Sequence, residues 1–141
     1  MIVDEIAPGK FITMAYLAID GKRGEVACGS AGHPPPRLVL PDGEVQALDA
    51  NGLALGVDSG QTYEEARVVL PRGAAIVVYT DGVIEARRDG ELYGVERLDA
   101  LLARRARLSP RGLAPEIAKD ARAFAGGELA DDLAVVVIKR T

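Results

Sequence analysis

Residues 74–82 read AAIVVYTDG, and residues 131–138 read DDLAVVVI. Both are apolar runs of strand length, rich in β-branched side chains, and both are punctuated by acid. The first stops at Thr80-Asp81-Gly82; the second starts from Asp131-Asp132. A run without polar alternation reads as a strand covered on both faces. If the two strands are antiparallel neighbours, the end of one lies beside the start of the other. Asp81, Asp131 and Asp132 then arrive at one rim of a sheet.

Outward from this pair the chain is a series of hairpins. Lys10–Ile19 (KFITMAYLAI) reads as a strand buried on two sides, and Glu25–Gly29 as its return partner across the turn 20–24. Three consecutive prolines, 34–36, make 30–36 a stiff connector, since each removes a backbone donor. Arg37–Leu40 and Glu44–Leu48 flank a Pro41-Asp42-Gly43 turn, a strong hairpin signal. Residues 51–60 read as a loop with Leu53 and Leu55 pinned inward, and Thr62–Leu70 as a strand ended by Pro71-Arg72-Gly73. Two amphipathic helices precede the last strand. Val95–Arg107 gathers Leu98, Leu101, Leu102 and Ala106 on one side. The second is capped by Ser109-Pro110, carries Leu113, Ile117, Ala121 and Phe124, and stops at Gly126-Gly127. Met1–Ile6 reads as the end of a helix. Hairpins without strand–helix alternation, and strands apolar on both faces, predict an α+β fold: a layered sandwich of two antiparallel sheets flanked by helices.

Composition limits the function. The 141 residues are 48% hydrophobic and 27% charged, within the range of globular domains. A net charge of −4 and only 4% aromatic residues argue against nucleic-acid partners, which need phosphate-neutralising cations and stacking platforms. Neither apolar run approaches the roughly 20 residues that span a bilayer. No basic segment precedes an apolar stretch at the N-terminus, so no signal peptide is read there. The single cysteine, Cys28, excludes an intrachain disulfide and a cysteine zinc site, and fits a reducing cytoplasm. It reads as a small packed residue in its strand. The single histidine, His33, excludes a multi-histidine metal site and reads as a structural or exposed loop residue.

Three converging carboxylates repel one another unless a cation or protons intervene. Hard oxygen donors select Mg2+, Mn2+ or Ca2+ over zinc. Read singly, Asp81-Gly82 is equally a turn, with Gly82 letting the backbone turn away, and Asp131-Asp132 equally a solvated loop end.

Six ordered segments add a family likeness. They are Phe11-Ile12-Thr13-Met14, Ala31-Gly32-His33-Pro34-Pro35, Leu55-Gly56, residues 79–86 (YTDGVIEA), Tyr93-Gly94-Val95-Glu96-Arg97-Leu98, and Asp131-Asp132-Leu133-Ala134-Val135. In this order they resemble the back portion of a bacterial PPM-type serine/threonine phosphatase domain, a relative of protein phosphatase 2C of the SpoIIE and RsbU type. The resemblance implies an αββα sandwich and a dinuclear Mn2+ or Mg2+ centre. It matches Asp81 and Asp131 to metal-ligand aspartates, with Asp132 ranked lower as a direct ligand. It implies hydrolysis of phosphoserine or phosphothreonine by a metal-activated water. The substrate it implies is a phosphorylated regulatory protein of the anti-sigma-factor antagonist type, in sigma-factor regulation in a bacterial cytoplasm.

The likeness also sets departures. The family's front segment, with its metal-holding Asp-Gly motif, has no counterpart before Lys10, so residues 1–141 are expected to form a single partial domain, truncated on its N-terminal side. Such a piece is expected to show little or no activity alone and to expose sheet edges through which two copies pair as a homodimer. Ala134 stands where the family often has threonine, which is expected to loosen the loop. Two other readings of the chain are a non-catalytic phosphatase-like scaffold or dimerisation module, and a Ca2+-stabilised structural domain.

Overall fold

The computed structural model of the chain describes residues 6, 7, 9–127 and 129–141. The helix end expected at Met1–Ile6 lies, apart from Ile6, outside them. The elements run in the order β1 (Met14–Asp20), β2 (Glu25–Ala31), β3 (Arg37–Val39), β4 (Val45–Ala47), β5 (Glu65–Val69), β6 (Ala75–Tyr79), α1 (Asp81–Ile84), β7 (Arg87–Arg88), β8 (Glu91–Leu92), α2 (Gly94–Arg105), α3 (Pro110–Phe124) and β9 (Val135–Lys139). All sheet pairings are antiparallel, so the fold is α+β, with antiparallel sheets and helices, as the hairpin pattern predicts. The chain forms two compact units: the described residues of Met1–Pro35 with Leu48–Val69, and Pro36–Ala47 with those of Leu70–Thr141.

The first unit holds a three-stranded sheet in the order β1-β2-β5. The β1–β2 turn is closed by Asp20, whose Oδ1 accepts the backbone N–H groups of Lys22 and Arg23 at 2.9 and 3.0 Å. Strand alternation sends Val26, Cys28 and Ser30 of β2 into the interior. Burial pushes the Cys28 thiol above its ordinary pKa, which suits a packed, unreactive residue. Ser30 accepts the His33 N–H through its hydroxyl, which in turn donates to the His33 carbonyl at 3.0 Å. His33 thus serves its loop through its backbone.

Two expectations fail in this unit. The strand expected over Lys10–Ile19 begins only at Met14 and is not buried on two sides: Tyr16 is 56% exposed. Among the described residues β1 is an edge strand hydrogen-bonded to β2 alone. Apolar side chains make burial possible, but a covering layer must supply it. Leu53, expected to point inward, is exposed, whereas Leu55 is buried, its backbone bridged to Ile12.

The second unit holds the sheet β4-β3-β6-β9, with α2 and α3 packed against it. The spacing of Leu98, Leu101 and Leu102 on α2, and of Leu113, Ile117 and Ala121 on α3, puts each set on one helical face. All six are buried, in one cluster with Val77, Tyr79 and Tyr93. Each buried leucine or isoleucine contributes roughly 1.5–3 kcal/mol. The final strand departs from expectation: it starts at Val135 rather than Leu133, and Val136 is 56% exposed. It is a sheet edge, with Val135 and Val137 facing the core.

Tyr93 carries a pH-dependent part of this stability. Its hydroxyl donates to Asp120 Oδ2 at 2.6 Å, and its ring meets Phe124 edge-on at 5.7 Å. Burial first, and then the bond to Asp120, hold the phenol far above the usual tyrosine pKa. The unfolded chain ionises this group near pH 10, while the folded chain keeps its proton. The contribution is therefore complete below about pH 10 and is lost above it, by up to about 1.4 kcal/mol per pH unit. Denaturant titrations of wild type and Tyr93→Phe at pH 8 to 11 should show a steeper alkaline decline in the wild type. Parallel declines would contradict the assignment.

Candidate functional site

The register of β6 and β9 builds the site. Tyr79 stands opposite Val135, so the two strand tips leave the sheet side by side. One step further, the Thr80 N–H donates to the Ala134 carbonyl at 3.0 Å. The Thr80 hydroxyl accepts the Ala134 N–H at 2.9 Å and donates to the Asp132 carbonyl at 3.2 Å. Three bonds from one threonine tie the tip of β6 to the approach of β9. Ala134 therefore supports the loop through its backbone, with Thr80 supplying the hydroxyl.

After Thr80 the chain winds into the single turn α1. The Val83 N–H donates to the Thr80 carbonyl at 3.0 Å and the Glu85 N–H to the Asp81 carbonyl at 2.8 Å. Gly82 lies against the opposite loop: a β-carbon there would overlap the Asp132 carbonyl oxygen and sit 3.0 Å from its carbon. Its φ is outside the left-handed region. The glycine is required for close approach rather than for the sharp turn that the sequence suggested.

The three aspartates are thus carried on backbones that meet at one rim. Asp81 Oδ1 accepts the Gly82 N–H at 3.0 Å, and Asp131 Oδ1 accepts the Asp132 N–H at 2.8 Å. In each carboxylate the second oxygen has no hydrogen-bond partner among the described residues. Asp131 lines a hollow of about 240 Å3 with Gly82, Glu85, Ala86, Arg87 and Ala130; Asp81 and Asp132 do not line it. Among the described residues, no three or more His, Cys, Asp or Glu side chains gather as a metal cluster. His33 belongs to the other compact unit.

Thr80 and Arg87 do not stand out in the sequence. Thr80 lies inside the quoted YTDG segment, but a threonine at a strand end gives no sign of its cross-strand bonds. Arg87 is exposed on β7, and only the fold brings it to the same hollow as Asp131.

Removal of the Thr80 hydroxyl tests the tie. Thr80→Val keeps the shape and removes both side-chain bonds, which are exposed, so that water takes up the Ala134 N–H. It should cost about 0.5–1.5 kcal/mol in urea unfolding. A loss below about 0.5 kcal/mol would show that the tie does not hold the rim.

The chain belongs to the SpoIIE family (Stage II sporulation protein E), whose model matches residues 1–141. It is 26% identical over 141 residues to the phosphoserine phosphatase RsbU of Bacillus subtilis strain 168, covering 99% of this chain and 42% of RsbU. Among solved structures, the RsbU and RsbW domains of Rv1364c from Mycobacterium tuberculosis match at a TM-score of 0.81 and 30% identity, over 95% of this chain and 38% of that one. The Mn-presoaked phosphatase domain of SpoIIE from Bacillus subtilis shares the fold at a TM-score of 0.69 and 20% identity, over 90% of this chain and 56% of that one. The chain thus spans under half the length of RsbU and of the Rv1364c chain.

Proposed function

We propose that residues 1–141 form the C-terminal portion of a metal-dependent protein-serine/threonine phosphatase domain. The observation that carries the reading is the β6–β9 register, which delivers Asp81 and Asp131-Asp132 to one rim. The donor chemistry fits a hard divalent cation, since Asp81 and Asp131 each keep one oxygen without a hydrogen bond among the described residues. Asp81 and Asp131 are the proposed ligands of Mn2+ or Mg2+, with Asp132 beside them, and a pair of ions is proposed for the complete domain. The soaking of the SpoIIE phosphatase domain in Mn supports that choice.

A bound ion of this kind lowers the pKa of water and neutralises phosphoryl oxygens. The chain's own residues do the placing. Thr80 fixes the distance between the strand tips, Gly82 lets the loops close on each other, and the N–H groups of Gly82 and Asp132 orient the carboxylates. The proposed substrate is phosphoserine or phosphothreonine on a regulatory protein of the anti-sigma-factor antagonist type. The name of RsbU supports a phosphoserine substrate. A cytoplasmic location is proposed with it. It is supported by the one buried free cysteine and by the finding that, among the described residues, no helix is long and apolar enough to cross a membrane.

A second reading, a scaffold or homodimerisation module, draws on the β1 edge, where Met14, Tyr16 and Ile19 are exposed. Sedimentation of the isolated chain tests it: a dimer weakened by Tyr16→Lys supports edge pairing, and a monomer opposes it. The catalytic reading is tested with p-nitrophenyl phosphate and the complete protein. Hydrolysis should require Mn2+ or Mg2+, vanish with EDTA and return with added metal. Hydrolysis indifferent to EDTA would overturn it.

A further inference from the structure

We propose that Arg87 binds the phosphoryl oxygens of the substrate, as a substrate-binding residue beside the acid rim. The inference rests on the phosphatase reading above and adds to it a specific phosphate contact.

Successive strand residues point to opposite faces. Arg88 takes one face, with its guanidinium carbon 4.9 Å from the centre of the Phe124 ring. Arg87 takes the other and lines the hollow with Asp131 and Glu85. The β7–β8 hairpin is held firmly. The Tyr93 N–H donates to the Ala86 carbonyl at 2.8 Å, and Ala86 and Tyr93 are both buried. Arg97 donates to the Leu92 and Tyr93 carbonyls at 3.1 and 3.0 Å, pairs with Glu91 at 2.5 Å, and lies 4.7 Å from the Phe124 ring centre. Arg88 and Arg97 thus both stack on Phe124, and Arg97 is also ion-paired; Arg87 is neither.

Arg87 has no ion-pair or hydrogen-bond partner among the described residues, although two carboxylates share its hollow. A planar guanidinium with free N–H groups matches two oxygens of a phosphoryl group, and such charge-assisted pairs are strong. The hollow of about 240 Å3 holds about eight water volumes, room for a phosphoryl group with its remaining waters. Glu85 and Asp131 repel a phosphate by themselves. An anion enters beside them only with positive charge present, and Arg87 is the cation lining the hollow.

The test uses the complete protein with Mn2+, p-nitrophenyl phosphate as substrate and inorganic phosphate as ligand. Arg87→Ala should raise KM about tenfold or more and leave kcat within about threefold. It should weaken phosphate binding, read by calorimetry, by the same factor and leave Mn2+ affinity unchanged. Arg87→Lys should recover part of the loss, since it keeps the charge but not the fork. Arg88→Ala is the comparison for general disturbance of the hairpin. Unchanged KM and phosphate affinity in Arg87→Ala overturn the proposal, as does an equal shift in Arg88→Ala or a wild type that binds no phosphate. Failure of the metal reading is separable: it appears as Mn2+-independent turnover, whereas phosphate affinity reports on Arg87 directly.

Discussion

Asp81→Asn is expected to lower the proposed Mn2+-dependent hydrolysis of p-nitrophenyl phosphate about a thousandfold or more in the complete protein. Even an outer partner of a metal ligand is worth about 10–100-fold, and Asp81 is proposed as a direct ligand of the ion. Asparagine has the same size, and its amide oxygen still accepts the Gly82 N–H that Asp81 Oδ1 accepts at 3.0 Å. What it loses is the negative charge. Urea unfolding should therefore match the wild type within about 0.5 kcal/mol. Asp131→Asn should behave alike, and Asp132→Asn should cost less. Full activity in Asp81→Asn with intact folding would remove the residue from the metal centre.

Gly82→Ala is the second large effect, and it acts through space alone. The added methyl overlaps the Asp132 carbonyl oxygen, and both neighbours it meets are backbone atoms with no rotamer to yield. Overpacking of this kind costs about 1–3 kcal/mol. The strand tips must part, and a displacement of about 1 Å near reacting groups is worth about a hundredfold in rate. Both stability and kcat should fall. Gly90 provides the contrast: it sits at φ 85° with no heavy atom near its missing β-carbon. Gly90→Ala should cost about 1–2 kcal/mol of left-handed strain and leave kcat unchanged. Equal kcat values for the two variants would refute the close-approach role of Gly82.

These two residues show what the sequence made legible. The apolar runs at 74–79 and 133–138 located the strands, and the acids at their ends located the rim, because antiparallel pairing of neighbours forces those ends together. Helical spacing identified the buried faces of α2 and α3 for the same reason: a period of 3.6 aligns Leu98 with Leu102 and Leu113 with Ile117. Burial was less legible. Tyr16, Leu53 and Val136 are as apolar as any core residue, yet each is exposed. A side chain's character does not say whether another layer faces it. Gly82 was visible as a turn signal but not as a contact, since its partner, Asp132, is distant in the chain. Thr80 was hidden for the same reason, and Arg87 because alternation along β7 decides which of two adjacent arginines faces the hollow.

The shared divalent ion at the tips of β6 and β9 is the claim on which the functional account depends. Crystals of the complete protein soaked in Mn2+, measured at the manganese absorption edge, locate that ion directly. The account predicts an anomalous peak within about 2.5 Å of a carboxylate oxygen of Asp81 and of Asp131. A peak elsewhere, with both carboxylates turned away from it, would contradict the account.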